Sequence, residues 1–111
     1  MANVYKILGQ ITGSATSRAI YTTPASPTQS VVSSIVVANR GTNNMFYRIA
    51  AITSGSVLAD SNYLAYDVPL SGSDSVALTL GISLNSGQRL EGYASGSSLS
   101  ASFSAFGTEI Y

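Results

Sequence analysis

Two stretches in the last third of the chain alternate between apolar and small residues with a period of two. Alternate positions from 76 to 82 carry Val, Leu, Leu and Ile, and alternate positions from 99 to 105 carry Leu, Ala, Phe and Ala, with serines between them. Because successive side chains of a β-strand point to opposite faces, this pattern predicts two strands of a half-buried antiparallel sheet. We therefore assign Leu78, Leu80 and Phe103 to the core.

The rest of the chain has the same organisation. Runs rich in Val, Ile, Leu, Tyr and Phe alternate with short segments of Gly, Ser, Thr, Asn and Pro, which are typical turn residues. The runs predict eight strands, at residues 4–8, 19–23, 31–39, 45–52, 63–68, 75–82, 89–94 and 99–106. No window of ten or more residues has apolar side chains at helical spacing, so at most one helical turn is expected, at residues 57–60.

Eight short strands must bury their apolar faces against one another, in a Greek-key sandwich, a jelly roll or a small barrel. We favour an all-β, jelly-roll-like β-sandwich that forms a single domain over residues 1–111. The run at residues 31–38 is apolar on both of its faces. This predicts a central strand, covered by the core on one side and by a neighbouring subunit or a loop on the other.

The low charge narrows the class of partner. Only 9% of the residues are charged, and five basic residues balance five acidic ones. Lys6 and the four arginines are scattered singly, whereas a phosphate backbone or an anionic membrane requires clustered positive charge. We therefore expect neither a nucleic acid nor a membrane as partner. A neutral surface favours association with other protein chains.

Candidate chemistry is sparse. The chain has no Cys, His or Trp, which excludes catalysis by thiol or imidazole and removes the ligands of most zinc and copper sites. The aspartates border turns, where Asp commonly bonds to local backbone. The segment from Asp60 to Asn62 offers oxygen ligands but lacks the glycine and distal Glu of a calcium loop. We predict that the protein is not an enzyme and has no metal and no cofactor.

Two further features of the sequence bear on location and contacts. The first residues contain no basic segment followed by an apolar core, so we expect synthesis in a cytoplasm without export by a signal peptide. The chain has seven tyrosines, and Tyr with Ser, Gly and Asn suits both protein contacts and sugar stacking. Tyrosine is also favoured in strands for structural reasons alone. That explanation is weaker for Tyr63, Tyr66 and the terminal Tyr111 than for the other tyrosines.

Several segments resemble a family of small virion proteins of tailed bacteriophages, especially phages of aquatic bacteria and cyanobacteria. The segments are VYKILGQ at 4–10, YTTP at 21–24, VVSSIVVANR at 31–40, YLAYD at 63–67, LTLGISL at 78–84 and FGTEI at 106–110. The resemblance covers nearly the whole chain and involves no catalytic motif. It implies a structural component of the virion, made in the host cytoplasm.

Within that family the chain is most similar to a capsid decoration or cement protein that stabilises the head shell. The resemblance implies the major capsid protein or another virion protein as partner, and a homo-oligomer, for which a trimer is favoured because such proteins sit at local three-fold axes. The alternative is a neck, tail or fibre component, including an adhesin that binds host surface polysaccharide. Imaging of virions labelled at this protein would separate the two.

The residues expected at a subunit or shell contact lie mostly in the terminal strands. Terminal β segments commonly add to the sheet edge of another subunit through main-chain hydrogen bonds. The expected contact residues are Val4, Tyr5, Lys6, Tyr63, Tyr66, Ile110 and Tyr111.

Overall fold

A computed structural model describes residues 2–96 and 100–111 of the chain. They form eight strands and one 3₁₀ turn at Asp60–Asn62. The strands are β1 (Asn3–Thr12), β2 (Arg18–Thr22), β3 (Gln29–Asn39), β4 (Met45–Ile52), β5 (Tyr63–Leu70), β6 (Ser75–Leu84), β7 (Arg89–Ser95) and β8 (Ala101–Ile110).

The strands form two four-stranded antiparallel sheets, in the orders β1-β8-β3-β6 and β2-β7-β4-β5. The first strand pairs with the eighth, the second with the seventh, the third with the sixth and the fourth with the fifth. The chain is thus a long ribbon doubled back on itself, and the pairings of β3 with β8 and of β4 with β7 roll that ribbon into two sheets. This is the strand order of a jelly roll. The predicted sandwich of eight strands is confirmed.

The core lies between the two sheets, where Phe103, Ile35, Ile49 and Leu90 are fully buried. Leu78 and Leu80 pack against this core, as the alternation predicts. They remain half-buried because β6 is an edge strand. β3 occupies the predicted central position, between β8 and β6.

The structure corrects several predicted boundaries. β1 continues to Thr12 and β8 to Ile110, because the backbones of these strands pair along that whole length. The 3₁₀ turn begins at Asp60 rather than spanning residues 57–60. Leu99, the predicted first residue of the last strand, lies outside the described residues.

Candidate interaction surfaces

The outer face of the sheet β1-β8-β3-β6 is built from small polar and apolar side chains. The backbone register places these in rows that cross all four strands. One row consists of Tyr5, Thr108, Val31 and Ser83, and the next of Ile7, Phe106, Ser34 and Thr79. We call the outward residues of these four strands the uncharged face.

The absence of charge on this face follows from the register. Among the four strands that form it, the only charged residues are Lys6 and Glu109. Lys6 Nζ lies 2.7 Å from Glu109 Oε1, and the Glu109 carboxylate is turned toward the core. The face instead exposes apolar side chains, among them Tyr5 at 80% and Ile7 at 54%.

The size of the uncharged face can be estimated from strand geometry. Four strands about 4.8 Å apart, each about ten residues long with a rise of about 3.3 Å, cover roughly 600 Å². A standard protein interface takes about 800 Å² from each partner. The face is thus comparable in extent to the surface that one partner contributes to a standard interface.

Within residues 2–96 and 100–111, Glu109 is the charged residue that is buried. It is 6% exposed and accepts a hydrogen bond of 2.6 Å from the hydroxyl of Tyr21. The hydrogen bond from Lys6, followed by that from Tyr21, lowers the pKa of the Glu109 carboxyl below its ordinary value, although burial opposes this. The predicted contact residue Lys6 thus has its ammonium group engaged within the chain.

The terminal strands pair with each other. Ala2 and Tyr111 exchange both backbone hydrogen bonds, and Val4 pairs with Glu109. β8 is paired on both of its edges, so of the two terminal strands only β1 has a free edge to which a neighbouring strand could add. Ile110 is half-buried and Tyr111 is 51% exposed. Contact between these residues and another subunit stays a prediction.

The second sheet carries an aromatic cluster on its outer face, around the predicted contact residues Tyr63 and Tyr66. Two register shifts interrupt the pairing of β5 with β4. At the first shift, Tyr66 and Asp67 together lie opposite Arg48, and Asp67 adopts a left-handed conformation with φ of 50°. Such a bulge re-aims side chains, and here it brings Tyr66 and Asp67 to the same face.

Arg48 lies at the centre of this tyrosine cluster, which we define as Arg48, Tyr63, Tyr66, Asp67 and Tyr93. Its Nε and one terminal nitrogen donate to the two oxygens of Asp67, at 2.6 and 3.2 Å. The guanidinium carbon lies 4.1 Å from the ring centre of Tyr66 and 4.4 Å from that of Tyr93. The rings of Tyr63 and Tyr66 meet edge to face, with centres 4.8 Å apart.

The ion pair fixes the charge state of both partners. The hydrogen bond from Arg48 lowers the pKa of the Asp67 carboxyl, and the same bond raises the pKa of Arg48. Both side chains therefore stay charged at neutral pH, and their charges cancel locally. Beside them, Asp60, Tyr63 and Tyr66 line an open cavity of about 280 Å³.

Sequence reasoning singled out Tyr63 and Tyr66 but missed their partners. Arg48 and Tyr93 come from strands that are far apart in the sequence, and only the pairing of β4 with β7 places them side by side. The available signal was the YLAYD segment, in which two tyrosines and an aspartate depart from strict alternation.

In residues 2–96 and 100–111, no three acidic side chains converge in a way that could hold a metal ion. Nor does that part of the chain contain a helix long and apolar enough to cross a membrane.

Comparison with known proteins gives structural neighbours without sequence relatives. The sequence matches no established family and no characterised protein at a significant level. A chain of the T13 particle of IBDV aligns with a TM-score of 0.59 and 13% identity, over 97% of this chain and 30% of that one. A chain of infectious bursal disease virus, Gx strain, aligns with a TM-score of 0.56 and 14% identity, over 97% and 32%.

The chain thus spans less than a third of the length of these two virus chains. At such low identity the similarity establishes a shared fold alone. Both neighbours are structures of virus particles, the class of assembly that the sequence resemblance implies.

Proposed function

We propose that the protein is a non-enzymatic structural component of a virus particle. The jelly-roll strand order and the fold shared with chains of virus particles support this proposal. The observation that carries it is the uncharged face, an open four-stranded surface that exposes Tyr5 and Ile7 and whose own strands direct no charged side chain outward. The guanidinium group of Arg40, which follows β3, donates to Ser102 at one end of the face. Exposed apolar side chains grouped on one sheet face in this way favour a protein contact site.

In its specific form, the proposal is a decoration or cement protein on the head shell of a tailed phage. The uncharged face would lie against the major capsid protein or another virion protein. A homo-oligomer, a trimer by preference, would engage several shell sites together and bind much more tightly than a single copy.

A second candidate is a neck, tail or fibre component. The tyrosine cluster favours it, because Tyr66 is 55% exposed beside an open cavity on the sheet opposite the uncharged face. Gold labelling of virions at this protein distinguishes the candidates: a decoration protein labels the whole head, and a tail component labels only the tail.

The decisive experiment introduces a charge into the uncharged face. Ile7→Glu places a carboxylate on that face. Thr22→Glu makes the same charge change at an exposed position of β2, in the other sheet. Co-sedimentation with undecorated heads should weaken at least about tenfold for Ile7→Glu and stay near wild type for Thr22→Glu. Equal binding by the two variants, or no binding by the wild type, contradicts the decoration proposal.

Oligomeric state is measured separately. Light scattering on the purified protein should give the mass of a homo-oligomer, for which the trimer is the first choice. A strictly monomeric protein that ignores heads contradicts the proposal and favours the tail or fibre candidate.

A further inference from the structure

The backbone of β5 is distorted at the point where it forms the tyrosine cluster. In a regular strand, Tyr66 and Asp67 would point to opposite faces. The left-handed conformation of Asp67 instead lets Arg48 contact both, with the carboxylate 2.6 Å from Nε and the ring centre 4.1 Å from the guanidinium carbon. Conformations of this kind are uncommon for residues other than glycine and concentrate at functional sites.

The cluster holds its rings in fixed positions. Arg48 is stacked near two tyrosine rings while its ion pair with Asp67 restrains the guanidinium group. Tyr63 is held edge to face against Tyr66. Aromatic rings in fixed positions bind a ligand with little loss of conformational entropy.

The charge of the residues around the cavity indicates which class of ligand it could bind. Arg48 is neutralised by Asp67, which leaves the carboxylate of Asp60 as the unbalanced charge among the residues that line the cavity. An anionic ligand would be repelled, whereas hydroxyl groups could donate hydrogen bonds to this carboxylate. The tyrosine rings supply apolar surface with a polar tip beside it.

We propose that this cavity binds a neutral saccharide. Because the two rings of Tyr63 and Tyr66 are nearly perpendicular, one face of a pyranose ring would pack on one of the two tyrosines and the sugar's edge would contact the other. Adjacent hydroxyl groups would donate to Asp60. The volume of about 280 Å³ lies at the lower end of small-molecule sites, which suits one sugar ring at the end or within a glycan. The proposal does not depend on whether the protein lies on the head or the tail of a particle.

The test is a nuclear magnetic resonance titration of the full chain with methyl glycosides of glucose, galactose and mannose, and with glucuronate as an anionic probe. At least one neutral glycoside should shift backbone resonances near Asp60, Tyr63 and Tyr66, with a Kd on the order of 1 mM. Glucuronate should bind at least about threefold more weakly, because it meets the Asp60 carboxylate.

Matched variants decide whether the cluster is responsible. Tyr66→Ala should weaken binding at least about tenfold, and Tyr66→Phe should retain it because the ring remains. Phe46→Ala is the control, since Phe46 is 46% exposed on the same sheet but does not line the cavity. The Ile7→Glu variant should bind the glycoside normally, which separates this test from that of head docking.

Three outcomes overturn the saccharide proposal. The first is the absence of localised shifts with every neutral glycoside. The second is equal binding by Tyr66→Ala and the wild type. The third is loss of head co-sedimentation by Tyr66→Ala with no change in glycoside shifts, which would make the cluster a protein contact.

Discussion

The hydroxyl of Tyr21 donates a 2.6 Å hydrogen bond to the carboxylate of Glu109, and this bond joins the two sheets of the sandwich. Tyr21 lies on β2 in one sheet and Glu109 near the end of β8 in the other. Lys6 on neighbouring β1 completes the arrangement by pairing with the same carboxylate. The buried acid is thus stabilised by one hydroxyl and one ammonium group, and it connects β1, β2 and β8.

We expect acid to weaken this connection. The pKa of Glu109 is lowered in the folded protein, so its contribution to stability is present above its ordinary value of 4.5 and is lost as the pH falls below that value. Glu109→Gln should lower the free energy of unfolding at neutral pH by roughly 1–3 kcal/mol and make its decrease in acid shallower. Asp74→Asn, which removes an exposed carboxylate, is the control. Denaturant titrations between pH 3 and 7 in which Glu109→Gln follows the wild-type profile would contradict this account.

Alkaline pH should weaken the same hydrogen bond by ionising Tyr21. Burial, followed by the hydrogen bond to Glu109, raises the pKa of Tyr21 from 10.0 to about 12. The unfolded chain therefore loses this proton first, and stability should fall as the pH rises from about 10 toward 12. Tyr21→Phe should show a smaller decrease over that interval. An ultraviolet phenolate titration in which all seven tyrosines ionise together near pH 10 would refute the prediction.

The last strand gives a direct test of register. Phe103 is fully buried and Ser102 faces outward, where it accepts a hydrogen bond from Arg40. Phe103→Ala should therefore cost roughly 3–5 kcal/mol of stability, and Ser102→Ala should stay within about 0.5 kcal/mol of wild type. Urea unfolding of both variants measures the difference. Equal losses would mean that the strand is shifted by one residue.

One glycine lets β3 approach β8 closely. A Cβ atom at Gly107 would collide with the backbone carbonyl oxygen of Val31, whereas a Cβ atom at exposed Gly81 would meet no atom within 4 Å. Gly107→Ala should destabilise the protein by roughly 2 kcal/mol or more, and Gly81→Ala should be neutral or slightly stabilising. Thermal unfolding that ranks the two alike would show that the strands separate without cost.

The strands could be predicted from the local pattern of apolar and polar residues. Period-two alternation between residues 75 and 84 and again from 101 to 105 depends only on which side chains avoid water, and this property can be read from neighbours in the sequence. The same reasoning identified Phe103 as a core residue and predicted a jelly-roll-like sandwich, whereas Tyr63 and Tyr66 were singled out by the tyrosine content of the chain. The low overall charge was also evident from composition, and with it the expectation of protein partners.

Tertiary structure decided what those strands present to the outside. The register of β1 and β8 turns Lys6 and Glu109 toward each other, so that neither charged residue of these strands lies on the outer face. Likewise, Arg48 meets Tyr93 only because β4 pairs with β7. Alternation is a property of each segment alone, but register and bulges arise from backbone pairing between distant segments, so no local pattern contains them.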